Sequence, residues 1–576
     1  MSKMSKPLRT QLLTATALCF ANGVFAQDFE RIAPKPATPP AQVREKPQPK
    51  ASVADNTVLV KQLNGIVFVT EPQSVRREGA AAVSGIDASR IPELQNDAFY
   101  TRMSKYLGKP VSLGSVADLI NDVVEYYAGK DRPFVSVTSP EQELTGGVLQ
   151  VLVVEGKVGE VKIVGAKTFD EKIYRNAIGL KPGDSILKRN LDANISWLNR
   201  NPFRDVAVQL EPGRTFGSTD VTVRTLERAP VRLYAGYEDT GSSVTAKDRL
   251  FTGVNFGNVF GLDHQFSYQF SASPNFDTFQ AHSATYVAPL PWHHLLTLFA
   301  GHAEIKGRVP APFALQGRST QVGLRYEVPL QSGSSGYSHS IIGGFDYKRT
   351  NNNLEFGLTN VSASNAEVFQ GLLSYDASLR ESTGTTSFTG TVFYSPGGVT
   401  GSNDDRSFQT LRAFAESRYT YARFQARRVT FLPQDFSWHL SLEGQISDGN
   451  LLGSEQLGLG GYASVRGYDE REANGDEGIL VRNELRTPSF NVPSPFPAKQ
   501  SQLQLLTFLD YGVVRNKQLL LAERRRTELS SVGLGMRYNI DTNVTLRFDY
   551  GWQLKDSGVV GSPKNSRPHF SLLVSY

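Results

Sequence analysis

The sequence predicts a transmembrane all-β barrel of about 16 antiparallel strands, preceded by two small α+β modules. Three observations lead there. The N-terminus carries an export signal. No later segment approaches the roughly 18 consecutive apolar residues of a spanning helix, and mean hydropathy is −0.29, so a membrane role requires a closed barrel with every backbone group paired. From Val231 to Tyr576, apolar and polar residues alternate in runs of about ten, apolar to lipid and polar to the lumen.

Residues 1–26 read as a secretory signal. Lys3, Lys6 and Arg9 form the basic region, Leu12 to Val24 the short apolar core, and Val24-Phe25-Ala26 a cleavage site that leaves Gln27 as the mature N-terminus. Cys19 is the only cysteine, and bulky Leu18 before it argues against lipidation. The mature chain then has no disulfide and no thiolate metal site. Residues 27–57 are Pro-rich (Pro34, Pro36, Pro39, Pro40, Pro47, Pro49), which predicts an extended, semi-rigid linker.

Residues 58–156 and 157–228 repeat one order of elements, β-α-α-β-β. In the first, Leu59 to Thr70 predicts a strand and Asp97 to Leu107 a helix. A second helix is capped by Ser115 and carries Val116, Leu119, Ile120, Val123 and Tyr127; strands Phe134 to Thr138 and Val148 to Val154 follow. The second has a strand at Val161 to Val164, a helix near Phe169 to Ile178, and a helix capped near Ser185 that stacks Leu187, Leu191, Ile195 and Leu198 on one face. Strands Val206 to Leu210 and Val221 to Leu226 close it.

The barrel occupies residues 229–576. Gln265 to Ala272, Thr320 to Val328 and Val544 to Tyr550 show the alternation without a break. Strands are expected to start near residues 231, 249, 264, 278, 294, 319, 339, 366, 385, 418, 436, 478, 502, 531, 543 and 567. A soluble β-sandwich would not need so many in one series. Between Ser407 and Ala415, Phe408, Leu411 and Phe414 recur every third residue, a helical turn placed in a loop. With the first strand running outward, the short connections at Val259-Phe260-Gly261, Ala288 to Pro291, Pro433-Gln434 and Asp541-Thr542 all fall on the inner side. Residues 447–477 become the sixth outer loop. It carries Val465-Arg466-Gly467-Tyr468, and the thirteenth strand carries Phe508, Asp510 and Gly512. Arg466 is either one of many solvated loop arginines or the partner of Asp510 inside the lumen, where a desolvated guanidinium needs a carboxylate.

These features together carry a resemblance. The two modules resemble tandem POTRA domains, and Leu198-Asn199-Arg200-Asn201-Pro202-Phe203-Arg204 is similar to the end of the last such domain, although an Asn-Pro turn closing a helix would read alike. Leu457 to Tyr468, Gly475-Asp476-Glu477-Gly478 and Asn483-Glu484-Leu485-Arg486-Thr487-Pro488 resemble the two-partner secretion transporters, the haemolysin/filamentous-haemagglutinin secretion and activation proteins. The resemblance covers the mature chain except the linker. It implies POTRA domains that capture a large unfolded exoprotein in the periplasm, a barrel that exports it, and a sixth loop folded into the lumen with Arg466 latched to Asp510. It also implies a plugging N-terminal helix, but Asp28 to Asn56 shows no helical periodicity. A barrel-assembly factor shares the fold and the Arg-Gly pair, and typically has more such domains; a passive solute channel needs neither modules nor loop motif.

Phe570, Leu572, Val574 and Tyr576, two apart and ending on an aromatic, resemble the signal that the barrel-assembly machinery reads during insertion. Arg524-Arg525-Arg526 lies in the seventh outer loop, solvated or against lipopolysaccharide phosphates of the outer-membrane lipid. All eight histidines fall in the barrel without convergent ligands, so no metal is expected. Phosphate-loop and nucleophile-elbow motifs are missing, so neither a cofactor nor an enzymatic activity is expected. A net charge of +5 over 576 residues is too dilute for nucleic acid.

Overall fold

The computed structural model describes residues 32–37, 55, 57–80, 83–241, 246–307, 313–330, 336–356, 359–496, 499–520, 523–559 and 564–576. The signal segment, most of the Pro-rich segment and the question of a plug helix there lie outside the described residues. The described residues form two compact units: the modules up to Arg228, and the barrel Ala229–Tyr576 together with residues 32–37.

The first module comprises β1 (Val58–Val60), β2 (Gly65–Val69), β3 (Gly85–Asp87), α1 (Asp97–Ser104), β4 (Val111–Ser112), α2 (Leu113–Gly129), β5 (Val135–Thr138) and β6 (Val148–Glu155), with sheet order β3-β2-β6-β5. The strand expected over Leu59 to Thr70 is broken in two. Leu63 turns into the core, its N–H donates to the Lys109 carbonyl at 2.9 Å, and Asn64 donates to Gly147 at 2.7 Å. α2 starts earlier than expected: Ser112 is the cap, and Ser115 closes a reciprocal pair, its N–H donating to Ser112 Oγ at 3.1 Å and its Oγ accepting from Ser112 N–H at 2.8 Å. The apolar face of α2 (Val116, Leu119, Val123) then packs with Ile66, Phe68, Phe99 and Met103. Phe99 meets Phe68 and Tyr126 edge-on at 5.1 and 5.0 Å.

The second module has β7 (Lys157–Val164), α3 (Glu171–Ile178), α4 (Lys188–Leu198), β8 (Arg204–Pro212) and β9 (Ser218–Glu227), with order β7-β9-β8. Ser185 does not cap α4; the helix begins after Leu187, which supplies no side-chain bond. Its first amides are satisfied instead from the first module: Lys188 N–H donates to the Asp131 carbonyl at 3.1 Å, and Arg189 N–H to Asp131 Oδ1 at 2.8 Å. The Asn-Pro segment does more than turn the chain. Asn199 bonds Val206 both ways (Nδ2 to its carbonyl at 2.9 Å, Oδ1 from its amide at 2.7 Å), and Arg204, buried under Phe169 and Tyr174, donates from Nε to the Leu198 carbonyl at 2.9 Å.

The barrel strands are β10 (Val231–Glu238), β11 (Arg249–Val259), β12 (His264–Ala272), β13 (Phe279–Pro289), β14 (Leu295–Gly307), β15 (Phe313–Leu330), β16 (Tyr337–Phe356), β17 (Thr359–Glu381), β18 (Gly384–Pro396), β19 (Arg418–Phe431) and β20 (Ser437–Ser447). α5 (Asp405–Leu411) lies in loop five and overlaps the turn expected over Ser407 to Ala415, but it ends before Phe414, whose φ is +62°. A hairpin of β21 (Leu457–Leu459) and β22 (Ala473–Gly475) lies in loop six. Then come β23 (Glu477–Arg486), its continuation β24 (Phe490–Val492), β25 (Ser501–Arg515), β26 (Arg526–Ile540), β27 (Val544–Gln553) and β28 (Ser566–Ser575). Because β23 and β24 both pair with β25 as one stave, the closed antiparallel barrel has 16 staves.

Closure pairs β10 with β28, from Tyr234 opposite Ser575 to Glu238 opposite Ser571. The Tyr576 backbone exchanges hydrogen bonds with Leu233, while its ring stands exposed on the lipid face. Expected and observed strand starts differ most for β15, β17 and β26, each of which begins earlier at its outer end. At outer ends, a strand that has left the bilayer meets water on both faces and no longer needs to alternate.

Residues 32–37, expected as linker, pack inside the barrel. Lys35 Nζ pairs with Glu238 at 3.1 Å, and its N–H donates to the Tyr234 hydroxyl at 3.0 Å. The Lys35 and Pro36 carbonyls accept from Asn255 Nδ2 (3.2 Å) and Arg232 Nη1 (3.1 Å) respectively. A Pro-rich strip makes no ladder of its own, so lumenal side chains satisfy its backbone.

Candidate functional site: the loop-six latch

Period two fixes the lumenal face of β25: Phe508, Asp510 and Gly512 point inward together. Carried through the cross-strand register, the same face holds Arg482, Glu484 and Arg486 on β23, Arg537 on β26, Arg547, Asp549 and Gly551 on β27, and Arg567 and His569 on β28. Loop six folds onto this arc.

Arg466 and Asp510 are both fully buried and form a fork. Nε lies 2.7 Å from Oδ2, Nη2 2.9 Å from Oδ1, and the Arg466 backbone N–H also donates to Oδ2 at 3.2 Å. Nη1 sits 2.8 Å from Glu484 Oε1 and 3.6 Å from Asp549 Oδ2. Its hydrogens are poorly directed, so these contacts are ionic rather than hydrogen-bonded. The guanidinium stacks on Phe508, 3.6 Å from the ring centre. Three carboxylates around one cation would leave an excess of negative charge, but the wall supplies the balance: Arg486 lies 2.5 Å from Glu484, Arg537 2.7 Å from Asp549, and Arg482 3.8 Å from Asp510.

The neighbouring motif residues have separate tasks. Gly467 has φ +91°, and its amide donates to His569 Nε2 at 3.0 Å; the accepting ring therefore carries its proton on Nδ1, facing Asp239 at 3.8 Å. A side chain on Gly551 would meet Gly467 N at 2.7 Å, so two glycines allow loop tip and wall to touch backbone to backbone. Val465 packs in an apolar cluster with Leu457, Leu459 and Tyr468, and the Tyr468 hydroxyl donates to the Ser530 carbonyl at 2.8 Å. Gly512 supplies space: a Cβ there would lie 2.7 Å from Leu459 and 3.1 Å from Val465. Gly512→Val is expected to overpack this contact by roughly 1–3 kcal/mol, read as a lower temperature for conversion to the slow-migrating unfolded form on gels.

Further out, Asp476 ties three outer loops together. It accepts from Arg412 of loop five (Nη1 2.5 Å, Nη2 3.0 Å), from the Leu451 amide (2.9 Å) and Gln456 (3.2 Å) within loop six, and from the Lys517 amide of loop seven (2.9 Å). Asp469 reaches Arg567 at 2.5 Å. Sequence reading brought Arg466 and Asp510 together, quoted Asp476 and Glu484 only within motif stretches without a contact, and missed the roles of Asp549, His569 and Gly551. Asp549 was legible as lumenal from its alternation; that the loop tip would reach it follows only from strand stagger. Of the arginine run, Arg524 donates to the Ser557 carbonyl at 3.0 Å, joining loop seven to loop eight, and Arg526 pairs with Glu528. Phe570 lies on the lipid face of β28, 5.7 Å from the Tyr237 ring.

A closed barrel whose lumen holds a buried, ion-paired loop, on a chain that also carries two α+β modules, is an architecture that outer-membrane transporters share with barrel-assembly factors. The family model for haemolysin secretion/activation protein ShlB/FhaC/HecB matches residues 217–538, more than half of the chain, and the chain belongs to that family. A ShlB-type POTRA domain matches residues 81–156, and the surface antigen variable number repeat, also a POTRA model, matches residues 156–228. Among curated relatives, heme/hemopexin transporter protein HuxB of Haemophilus influenzae (strain 86-028NP) is 22% identical over 78% of this chain and 79% of its own. Outer membrane transporter CdiB of Escherichia coli O6:K15:H31 is 27% identical over 71% and 69%. The solved structure of CdiB from Escherichia coli covers 95% of this chain and 94% of its own at 17% identity, with a TM-score of 0.71. The protein is a two-partner secretion transporter of the outer membrane, its POTRA domains in the periplasm.

Proposed function

We propose that the modules capture an unfolded partner exoprotein at the free edge of β5, and that the exoprotein then threads the lumen when loop six gives way. The observation that carries this reading is the buried Arg466–Asp510 fork. It puts a loop, which can move, where a solute channel would keep an open path. Transport is non-enzymatic, and folding of the exported chain outside gives it direction.

Backbone accounting favours β5 among the four strands that end the two main sheets: β3 has three residues, and β7 is already taken at Val158 by Gly183 and Asp184. Among the described residues β5 pairs with β6 alone and β8 with β9 alone, so each ends its sheet. On β8, however, Asn199 already occupies the edge at Val206 in both directions. β5 is short, and Ser136 and Thr138 are exposed. An extended cargo segment would add there as a further strand.

A photoreactive amino acid at Ser136 is expected to cross-link the exoprotein during secretion, whereas one at Asn199 is expected to give none. Equal adducts from both positions, or none from Ser136, would sink the assignment. A barrel-assembly factor would instead give adducts with nascent barrel proteins.

A further inference from the structure

Loop six is held at a second place that the latch motif does not include. Eleven residues before Arg466, Glu455 is buried against a different arc of the wall: β16, β17 and β19 rather than β23 to β28. Its Oε1 lies 2.5 Å from Lys348 Nζ, with side-chain exposures of 1% and 2%. Its Oε2 accepts from the Tyr421 hydroxyl at 2.8 Å and from Gln370 Nε2 at 3.0 Å. Its carbonyl accepts from Gln445 Nε2 on β20 at 3.0 Å. Behind this contact the wall is itself networked. Arg325 pairs with Asp346 at 2.8 Å, and the Tyr419 hydroxyl donates to Gln370 Oε1 at 2.8 Å.

Without loop six Lys348 would face a water-filled lumen, and a loop that covers a lysine makes it costly unless the loop also neutralises it. Here loop six does both. Burial alone would raise the Glu455 carboxyl; the Lys348 ammonium and the hydrogen bonds from Lys348 and Tyr421 overcome it and hold the carboxyl below the usual carboxylate range. The residue is therefore ionised at working pH and forms a charge-assisted contact.

We propose that Glu455 is a second positioning residue for loop six, and that its contact with Lys348 bridges the loop from one arc of the wall to the other, closing the pore. The inference rests on loop six being the barrier of a protein-conducting barrel. The two holds differ in what their release leaves behind. Withdrawing Arg466 breaks a bidentate fork, a backbone bond to Asp510 and the stack on Phe508. Withdrawing Glu455 uncovers one ammonium, one hydroxyl and one amide, all of which water can solvate. The Glu455 side is thus the easier to release, with Arg466 as the pivot.

The test is ion conductance of the purified full-length protein in planar bilayers, with no exoprotein present. The result therefore stands whether or not the chain exports a partner. Glu455→Gln and Lys348→Met are each expected to raise the frequency of open events several-fold over the unaltered protein, while gel mobility before and after heating stays unchanged. The reversed pair, Lys348→Glu with Glu455→Lys, is expected to close the pore again relative to either single change. Single variants that conduct as the unaltered protein does, or a reversed pair as leaky as its parts, would overturn the proposal. Glu455→Gln keeps the shape and the tyrosine contact, so it tests the charge without emptying the site.

Discussion

Arg466→Ala is expected to abolish appearance of the exoprotein in the medium while a heat-modifiable barrel still accumulates in the outer membrane. The change removes a cation that touches Asp510 by two side-chain bonds and stands within 2.8 and 3.6 Å of Glu484 and Asp549. Breaking a buried pair from one side costs roughly 3–5 kcal/mol. The barrel tolerates this because Arg486, Arg537 and Arg482 continue to serve the same carboxylates from the wall. The loop tip has no such reserve. Arg466→Lys is expected to restore little, since a single ammonium cannot make the fork or stack on Phe508. Exchanging the charges of positions 466 and 510 is likewise expected to fail, because a carboxylate on the loop would meet Glu484 and Asp549. Immunoblots of medium and membrane fractions check all three; normal secretion from the alanine variant would refute the latch.

Asp476→Ala is expected to have the largest effect on the outer loops. One carboxylate there holds Arg412 by two bonds and satisfies the backbone amides of Leu451 and Lys517. Its loss leaves a largely buried guanidinium and two amides without that acceptor, again roughly 3–5 kcal/mol. Loops five, six and seven should separate and become cleavable by protease added to intact cells. Protection equal to that of the unaltered protein would show that the loops are held by other contacts.

How much of this was legible beforehand follows from the kind of signal each feature leaves. The staves were, because lipid on one side and a wet lumen on the other impose period two on every strand. Where that pressure ends, as at Phe313 and Thr359, so does the signal. Helix starts were read less well. Ser112 and Ser115 offer the same chemistry three residues apart, and the sequence does not show that the first is the cap. The Arg466–Asp510 pair was legible through architecture, since direction and strand count put a loop within reach of a wall. Lys348 and Glu455 lie 107 residues apart with no turn or motif to mark them; only the folded loop brings them together.

The Asp131 contact has a consequence for timing. Asp131 follows the end of α2 in a left-handed conformation, φ 66°, and from there caps the first turn of α4. A helix without an N-cap is short of about 1 kcal/mol, a large share for an 11-residue helix. The start of α4 is therefore completed only after the first module has closed its own helix, so the periplasmic pair matures in chain order, and a lone second module would begin with a frayed helix.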